Sequence, residues 1–406
     1  MCGFIASRRP VSNAKIRLRG PDATVAFKRD GYTFIHNLLS ITGTFTPQPF
    51  IDEEIVCVYN GEIYNHPYVG SDGEALIPLY KQYGEEFVRR LDGEFAIALF
   101  DFATQTAIFS TDAFRSKPIW VNEYGAASYR SGIGAGAPLP PNTAVVRCLK
   151  TGCQKTFQIH GFQFDHQHKD HYTDWINAFE AAVRKRGANN SFIGLSSGYD
   201  SGAIDCALTR CGFQHRRYSI AGVEDMEILR LRNSILAFGP AEYAAEETYI
   251  QECVEPFEYS IFGRSQCITE ESAAIGLGYL CRLAQRECRR IYLSGQGADE
   301  ILADYALMPH QSEFKGRFPD RLTVWRNFYH ECQEAYLAKE EHVAGAYGIE
   351  ARYPFLDAQV VQEFLWLKPE LKNAAYKAPL HAYLTMHDYP FRPKTKRGFE
   401  PDYGVI

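Results

Sequence analysis

The sequence predicts an α+β domain followed by an α/β domain with a doubly wound parallel sheet. Three observations support this fold class. A chain of 406 residues is longer than one hydrophobic core usually supports, so two domains are expected. The first 160 residues carry short apolar runs of strand type, whereas the remainder alternates strand-like runs with helical stretches, as parallel sheets require. We place the predicted domains at residues 1–160 and 161–406.

The first domain is predicted to consist mainly of strands. Its strand-like runs, separated by Gly, Asp and Asn, are "YTFIHNLLSI", "EIVCVYNGEI", "EFAIALFDFA" and "TAIFSTDAF". One helix is expected over "SDGEALIPLYKQYGEEFVRRL", with Ser71 as its N-cap. The Pro/Gly-rich stretch "SGIGAGAPLPPNTA" is typical of a loop, and "VVRCL" of a last strand.

The second domain begins after a polar stretch, "HGFQFDHQHKDHYT", which is typical of a linker. Four of the chain's 12 histidines lie there, but no Cys or carboxylate cage accompanies them, so a solvated linker is favoured over a metal site. From Thr173 the apolar residues follow helical spacing, and Gly187 is expected to end that helix. The runs "SFIGL", "RRYSIAG" and "RRIYLSG" predict strands, with a helix beginning near Gly202.

Composition limits the classes of function. The net charge of −6 argues against nucleic-acid or anionic-membrane partners, which favour basic surfaces. The 11 cysteines show no CxxC pairs, which is typical of reduced thiols in a cytoplasmic protein. No apolar run approaches the roughly 18 residues needed to span a membrane, and the first residues lack the order of a signal peptide.

The opening "MCGF" places a cysteine directly after the initiator methionine. If Met1 is removed, Cys2 carries both a thiol and an α-amine, and an α-amine titrates near pKa 8, or roughly neutral pH. A nucleophile beside its own base is the minimum for self-activated covalent catalysis. Because any residue can follow Met1, this stretch alone leaves an incidental cysteine open.

Two Gly-rich turns follow predicted strands of the second domain. "LSSGYDSG" is a strand–loop–helix junction of the kind that binds phosphate, and it lacks the GK[ST] of γ-phosphate-transferring loops. "YLSGQGADE" places Asp299 and Glu300 beside the second turn, and such turns converge at the carboxyl edge of a parallel sheet. Asp200 and a carboxylate of the second turn could therefore hold Mg²⁺ on a polyphosphate.

Nine short motifs resemble those of one family. "LSSGYDS" is similar to the pyrophosphate loop of the ATP-pyrophosphatase superfamily, while "LSGQGADE", "EARYPFLD" and "KRGF" resemble signatures of glutamine-dependent asparagine synthetases. In the first domain "MCGF", "RGPD", "NGEIYNH", "SDGE" and "DAFRSKPIW" occur in that family's order. The resemblance spans nearly the whole chain.

For the first domain the resemblance implies an N-terminal-nucleophile glutaminase, a class II glutamine amidotransferase domain. Cys2 would attack the side-chain amide of glutamine after removal of Met1. The Asn60 side chain and the Gly61 N–H would form the oxyanion hole, a role that amide and backbone donors suit chemically. Glu62 and Asp72 would hold the α-ammonium group of glutamine.

For the second domain the resemblance implies formation of an acyl-adenylate from ATP and a small carboxylate, with Asp200 and Asp299 as Mg²⁺ ligands. Lys396 would stabilise the adenylation transition state. The remaining residues implied to bind ATP or pyrophosphate, together with Asp200, are Leu195, Ser196, Ser197, Gly198, Ser201, Gly295 and Lys377.

Three residues depart from the family's pattern. Leu38 replaces an arginine that would grip the glutamine carboxylate, so we expect weaker binding of glutamine. Ser197 replaces a glycine of the pyrophosphate loop, a change we expect to be tolerated. Gln296 replaces a glutamate, and because an amide is neither charged nor a base, we expect aspartate to be a poor acceptor.

The sequence thus predicts a cytoplasmic, asparagine synthetase-like enzyme that converts a carboxylate into a carboxamide using glutamine and ATP. Two alternatives stay open: a relative acting on a non-aspartate carboxylate or with another amine, in the manner of β-lactam synthetases, and a degenerate, non-catalytic homologue. The acceptor is not indicated by any local pattern, and a homodimer stays open.

Overall fold

A computed structural model describes residues 1–220, 224–237 and 240–393 of the chain. The chain divides into two compact units. The first comprises residues 1–161 with 345–348, and the second comprises the rest.

Two six-stranded antiparallel sheets form the first unit. Their strand orders are β10-β8-β9-β1-β3-β2 and β12-β11-β7-β6-β5-β4. The elements, in chain order, are β1 (Gly3–Ser7), α1 (Ile16–Arg19), β2 (Ala23–Arg29), β3 (Tyr32–Leu38), β4 (Phe50–Asp52), β5 (Ile55–Ile63), α2 (Leu76–Tyr83), β6 (Gly93–Asp101), β7 (Thr106–Thr111), β8 (Trp120–Asn122), β9 (Gly125–Ala127), β10 (Ala137–Pro138), β11 (Thr143–Cys148) and β12 (Gln154–Gln158).

The two sheets pack face to face because alternate residues of their strands are apolar. Phe4 and Phe34 of the first sheet share a buried cluster with Val58 and Phe100 of the second. The outer face of the second sheet is covered by α2, whose Leu76 and Ile77 pack with Cys57 and Tyr59. The α+β class predicted for this part of the chain is confirmed.

The single helix predicted between residues 71 and 91 is broken into three pieces. Ser71 caps a 3-10 turn by accepting the Gly73 N–H at 3.4 Å, so the predicted N-cap is confirmed. The α-helix ends at Tyr83 because Gly84 has a φ of +59°, which ends helices, and a 3-10 segment follows over Gly84–Arg90. The Pro/Gly-rich stretch "SGIGAGAPLPPNTA", predicted to be a loop, contains the short strand β10.

The second unit is an α/β unit around a five-stranded parallel sheet of order β15-β14-β13-β18-β19. Its elements are α3 (Thr173–Arg186), β13 (Ser191–Gly194), α4 (Tyr199–Arg210), β14 (Arg216–Ile220), α5 (Met226–Leu231), β15 (Ile235–Ala237), α6 (Pro240–Cys253), β16 (Glu258–Ile261), β17 (Arg264–Cys267), α7 (Ser272–Arg286), β18 (Ile291–Leu293), α8 (Ala298–Leu302), α9 (Arg326–Tyr329), α10 (Cys332–Ala346), β19 (Glu350–Arg352), α11 (Ala358–Trp366), α12 (Pro369–Lys372) and α13 (Ala378–Met386).

The strand order reverses next to β13. Successive strands β13, β14 and β15 lead outward on one side, and β18 then pairs with the other side of β13. In open α/β sheets, ligands bind at the carboxyl ends of the strands at such a switch point. The predicted doubly wound parallel sheet is confirmed, although part of the predicted strand "RRYSIAG" lies outside the described residues.

The stretch predicted as a polar linker packs against the second unit instead. The N–H groups of His168 and Lys169 donate to the Trp366 carbonyl at 2.8 and 2.9 Å, and Lys169 forms a parallel bridge with Leu367. The Lys169 ammonium also donates to Asp174 at 2.6 Å. Backbone pairing with a distant helix end therefore holds a segment whose composition is typical of free loops.

The two helices predicted near the first parallel strand are present with small shifts. The helix predicted from Thr173 ends before Gly187 as expected. The next helix begins at Tyr199, with Gly198 as its N-cap, and so earlier than the start predicted near Gly202.

All 11 cysteines are free thiols. Within the described ranges, no helix combines the length and the apolar character that a membrane crossing needs.

A buried ion pair joins α3 to the start of α11 and generates a stability prediction. Asp357 accepts from Arg186 at 2.7 Å, and both side chains are almost fully buried. Replacing Asp357 with Asn should destabilise the second unit by about 3–5 kcal/mol, because the buried guanidinium loses its charged acceptor. Thermal unfolding measures this loss, and Asp170→Asn, an exposed carboxylate, serves as the control.

The same pair fixes the sign of the pH dependence. Burial alone would raise the pKa of Asp357, but the charges of Arg186 and Lys185 hold it below its usual value of 3.8. The stabilisation is therefore present above about pH 4 and is lost as the pH falls through the depressed pKa. An acid-unfolding curve of Asp357→Asn as steep as that of the unaltered protein would contradict this assignment.

Candidate active sites in the two units

The thiol of Cys2 lies at the end of a neighbouring strand. Cys2 precedes β1, and its Sγ accepts the N–H of Leu39 at 3.5 Å, just beyond the end of β3. The carbonyl of Cys2 accepts from Arg19 Nε at 3.0 Å. The residue is partly exposed, so backbone contacts fix the thiol at a position that a small molecule can reach.

Asn60 carries an unsatisfied amide in the interior of the first unit. It is fully buried on β5, and neither its Nδ2 nor its Oδ1 has a hydrogen-bond partner. Buried amides are nearly always hydrogen-bonded, so an orphaned one marks a position at which a ligand can supply the missing acceptor. β5 packs against β1, the strand that begins directly after Cys2.

The next residue must be glycine for two independent reasons. Gly61 has a φ of +138°, and a Cβ there would lie 1.8 Å from the carbonyl oxygen of Glu94. The backbone of β5 therefore lies closer to β6 at this point than any side chain allows.

Two buried carboxylates lie beside this segment. Thr42 donates to Glu62 Oε1 at 2.6 Å, and the Ile63 N–H donates to Asp72 Oδ2 at 2.7 Å. Burial, then the charges of Asp72 and Glu62, a hydrogen bond to Asp72 and the proximity of Cys2 raise the pKa of Tyr59 well above its usual value. Two buried carboxylates in this part of the unit would favour an ammonium group beside them.

Leu38 and Arg19 differ in what they can offer to a carboxylate. Leu38 is buried and apolar at the end of β3. The Arg19 guanidinium is fully buried, and it donates to Tyr129 Oη and contacts Met1 Sδ, both at 2.7 Å. Arg19 is therefore committed to partners of its own, and removal of Met1 would take one of them away.

The loop after β13 is braced by its own serines. The Ser196 N–H donates to Ser201 Oγ at 3.0 Å, and the Gly198 N–H donates to Ser196 Oγ at 3.1 Å. Leu195 is buried, and its N–H continues the sheet by donating to the Tyr218 carbonyl at 2.7 Å. These contacts place Leu195, Ser196, Gly198 and Ser201 in one compact turn at the start of α4.

Ser197 uses both of its donors on a carboxylate. Its N–H donates to Glu224 Oε2 at 2.6 Å, and its hydroxyl donates to the same oxygen. The Ser197 hydroxyl in turn accepts the Asp225 N–H at 3.1 Å. A glycine could not make the hydroxyl contacts, so the departure at Ser197 connects the loop to the segment after β14.

Two aspartates from different loops meet on one lysine. Lys377 Nζ lies 2.6 Å from both carboxylate oxygens of Asp200 and 2.9 Å from Asp299 Oδ1. Tyr376 also donates to Asp299 at 2.9 Å. The loops themselves touch, because a Cβ on Gly295 would lie 2.9 Å from Asp200 Cβ.

The charges at this cluster determine the protonation of the lysine. Burial by itself would lower the pKa of Lys377, but the carboxylates of Asp200 and Asp299 raise it well above its usual value. The ammonium is therefore charged at neutral pH, and it balances one of the two negative charges. The other leaves the cluster able to attract a cation.

Gln296 and Glu300 lie in the turn after β18. The Gln296 N–H donates to Ser294 Oγ at 3.0 Å. Glu300 is buried, and its carboxylate accepts from the Gly297 N–H at 3.0 Å and from Tyr305 at 2.6 Å. Burial, and then the charge of Asp299, raises the pKa of Glu300.

Three residues of the site have no signal in the sequence, and one predicted residue is outside the described part of the chain. Lys396 lies outside the described residues. Glu224, Tyr376 and Arg232, which contact the Gly-rich loops or their aspartates, have no motif of their own. Their positions depend on contacts far apart in the sequence, so no local pattern could reveal them.

Comparisons with known proteins agree with the two units. Residues 1–183 match the family of the glutamine amidotransferase domain, and residues 175–331 match that of asparagine synthase. The chain is therefore a two-domain protein that joins a glutamine amidotransferase domain to an asparagine synthase domain. Both domains are those of the family that the motifs resemble, and the chain is similar to glutamine-hydrolysing asparagine synthetases, so the resemblance is confirmed.

The curated relatives are similar at modest identity. Asparagine synthetase (glutamine-hydrolyzing) 2 of Arabidopsis thaliana is 25% identical over 92% of this chain and 72% of the relative. Putative asparagine synthetase (glutamine-hydrolyzing) 1 of Methanocaldococcus jannaschii is 27% identical over 83% of this chain and 69% of the relative.

Solved structures add little to this assignment. The glutamine phosphoribosylpyrophosphate amidotransferase from B. subtilis, complexed with ADP and GMP, is 12% identical over 82% of this chain and 78% of that chain. Its TM-score of 0.26 is too low to indicate a shared overall structure.

The geometry at Gly61 predicts a large effect of one added methyl group. Gly61→Ala should destabilise the first unit by more than about 3 kcal/mol, the upper end for a strained backbone residue, because a clash adds to the strain. Gly31→Ala is the matched control, since Gly31 has a φ of +80° but open space around its Cβ position. It should cost about 1–2 kcal/mol. Equal losses in thermal unfolding would show that the clash is relieved.

Proposed function

We propose that this protein is a glutamine- and ATP-dependent amidotransferase that converts a small carboxylate into a carboxamide through an acyl-adenylate. The observation that carries the proposal is the meeting of Asp200 and Asp299 on Lys377 at the switch point of the parallel sheet. In this proposal residues 1–160 are the glutaminase and residues 161–406 the ATP-binding synthetase.

In the glutaminase, the Cys2 thiol attacks the side-chain carbonyl of glutamine once Met1 has been removed. The α-amine of Cys2 takes the thiol proton and passes it to the departing nitrogen, so that a thioester forms and ammonia leaves. The unpaired amide of Asn60 and the Gly61 N–H would donate to the oxyanion. The orphaned Asn60 Nδ2 supports this role, and the acidic patch of Glu62 and Asp72 supports binding of the α-ammonium. Water then hydrolyses the thioester.

In the synthetase, an oxygen of the acceptor carboxylate attacks the α-phosphorus of ATP, and pyrophosphate leaves. Ammonia then attacks the acyl carbon, and AMP leaves. The turn of Ser196, Ser197, Gly198 and Ser201, with Leu195 at its base, would bind the pyrophosphate portion. Lys377 would balance its negative charge, and Lys396 is proposed to stabilise the adenylation transition state on the strength of its motif alone.

The donor set at the turn fits Mg²⁺. Asp200 and Asp299 would hold the ion, since carboxylate oxygens and substrate phosphates are its usual ligands, and it would neutralise charge on the polyphosphate. No group of three or more His, Cys, Asp or Glu side chains in the described part of the chain is arranged as a metal site. The phosphates of ATP would therefore complete the coordination.

The alternative functions predict different features in the first domain. A β-lactam-synthetase-like enzyme has no use for the Cys2 nucleophile, and a non-catalytic homologue has no need to keep the Asn60 amide buried without a partner. Both features therefore favour a glutamine-using enzyme. The uncharged Gln296 favours an acceptor other than aspartate. A cytoplasmic location and a homodimer stay predictions.

Pyrophosphate exchange tests the proposal directly. The full chain is incubated with ATP, Mg²⁺, labelled pyrophosphate and one carboxylic acid from a panel that includes aspartate. Exchange that depends on one acid, followed by carboxamide formation with glutamine, is the expected result. Absence of exchange with every acid, and of ATP binding, would overturn the proposal, and robust asparagine formation would overturn the expectation about aspartate.

Replacing Cys2 separates the two half-reactions. Cys2→Ala should abolish carboxamide formation with glutamine and leave formation with free ammonia within about twofold, because only the thioester step needs the thiol. Product analysis with each nitrogen source measures this. Intact-mass data that show Met1 retained in fully active protein would contradict the proposed base.

Replacing either aspartate should impair the synthetase reaction and leave the glutaminase reaction intact. Asp200→Asn or Asp299→Asn should lower pyrophosphate exchange at least about a hundredfold, because each removes an anionic ligand from the ion on pyrophosphate, while glutamine hydrolysis stays nearly unchanged. Asp320→Asn, at an exposed position, is the control for a lost surface charge. Loss of both activities together would point to a folding defect instead.

A further inference from the structure

A buried arginine holds the carbonyl side of the Ser/Gly turn. Arg232 lies at the end of α5 and is almost fully buried. Its Nη1 donates to the carbonyls of Ser196 and Gly198, the latter at 3.0 Å. Both carbonyls belong to the turn between β13 and α4, so one guanidinium fixes the peptide orientation at two positions of that turn.

The other edge of the same guanidinium binds a second segment. Nε and Nη2 of Arg232 donate to the Pro390 carbonyl at 3.0 and 2.7 Å, and the guanidinium lies 5.0 Å from the centre of the Tyr389 ring. Pro390 follows α13 in the chain. Arg232 therefore joins the turn to the segment after α13 through four hydrogen bonds from one planar group.

The segment 389–392 has further contacts to the helix that begins at the turn. Tyr389 donates to Asp205 of α4, and the ring of Phe391 lies 5.0 Å from that of Tyr199, the first residue of α4. Arg392 pairs with Asp225 at 2.9 Å. The bond to Arg232 is thus one part of a docked segment rather than an isolated contact.

Space for the guanidinium is provided by a glycine. A Cβ on Gly202 would lie 2.5 Å from Arg232 Nη2, so any larger residue there would displace the arginine. Packing against Arg232 therefore requires glycine at position 202, the second glycine of "SGYDSG". The motif itself does not indicate this requirement.

The charge of Arg232 has no carboxylate among its hydrogen-bond acceptors. All four hydrogen bonds end on backbone carbonyls, those of Ser196, Gly198 and Pro390. The nearest acids are engaged elsewhere, Asp205 with His215 at 2.5 Å and Glu224 with Ser197 at 2.6 Å. Burial lowers the pKa of Arg232, but a guanidinium stays charged in proteins. A fixed positive charge therefore lies directly behind the turn.

We propose that Arg232 is a positioning residue for the phosphates of ATP: it turns the Ser196 and Gly198 carbonyls away from the anion and locks the turn to segment 389–392. The proposal rests on the proposed function, because it assumes that the turn binds pyrophosphate. Carbonyl oxygens that faced the anion would repel it, and a turn free to rotate those peptides would pay an entropic cost on binding.

Calorimetric binding of Mg-pyrophosphate and Mg-ATP to the full chain tests the proposal. Arg232→Met should weaken binding of both probes at least about tenfold, in line with the loss of hydrogen bonds from a charged donor. Arg232→Lys keeps the charge but not the planar fork, so it should lie between Arg232→Met and the unaltered protein. Arg230→Met is the matched control, since it removes the same charge from an exposed position of the same helix.

Two further measurements separate positioning from a general loss of stability. Hydrogen–deuterium exchange in Arg232→Met should rise in residues 195–202 and 389–392 together, with the remainder of the sheet unchanged. In Arg232→Ala, added guanidinium ion should restore part of the pyrophosphate binding, which a collapsed fold would not allow.

If the unaltered chain binds neither probe, the proposed function fails, and the exchange data alone decide whether Arg232 links the two segments. If the unaltered chain binds and Arg232→Met binds within twofold of it, the positioning role is wrong. If Arg230→Met is weakened as much as Arg232→Met, long-range charge rather than positioning is responsible. If exchange rises throughout the second unit and guanidinium restores nothing, Arg232 only supports the fold.

Discussion

The bond between the Lys377 ammonium and the carboxylates of Asp200 and Asp299 is the constraint on which the second unit's site depends. Two carboxylates this close repel each other, and a buried ammonium without carboxylates would be strongly destabilised. The ammonium and the two carboxylates therefore stabilise each other's charged forms. Two strained or crowded positions accompany this arrangement: Lys377 has a φ of +49°, and Gly295 has no room for a side chain beside Asp200.

The Ser/Gly turn between these charges is held from two sides. Glu224 accepts both donors of Ser197, and Arg232 donates to the carbonyls of Ser196 and Gly198. The carboxylate of Glu224 thus satisfies donors of the turn, and the guanidinium of Arg232 satisfies its acceptors. Both residues come from the stretch after β14. Such a turn presents a defined surface before any ligand arrives, which reduces the cost of ordering it on binding.

The first unit shows the opposite arrangement at its site. Asn60 is buried with its amide unpaired, and Gly61 adopts a conformation that side chains disfavour. Both features cost stability, and both occur on adjacent residues of β5, near the strand that follows Cys2. Violations of local rules that cluster in this way are expected where a protein gives up stability for function.

Local patterns of the sequence determined much of the framework. Alternating apolar runs indicated the strands of the first unit, and strands alternating with helices indicated the parallel sheet, because burial on one face imposes a period that can be read along the chain. The motifs also indicated which loops carry Asp200 and Asp299. The break at Gly84 was missed because glycine is tolerated within helical spacing, and its positive φ depends on how the chain continues.

Only the tertiary structure decided which groups meet. The resemblance assigned Lys377 to the phosphate site, but it did not indicate that the ammonium contacts both Asp200 and Asp299. Nothing near Arg232 in the sequence indicates that it joins Ser196 to Pro390. The polar segment before Thr173 reads as a linker because its backbone partner, Trp366, lies far along the chain. Hydrogen bonds and ion pairs depend on distance in space, whereas a sequence pattern reports only the face on which each residue lies.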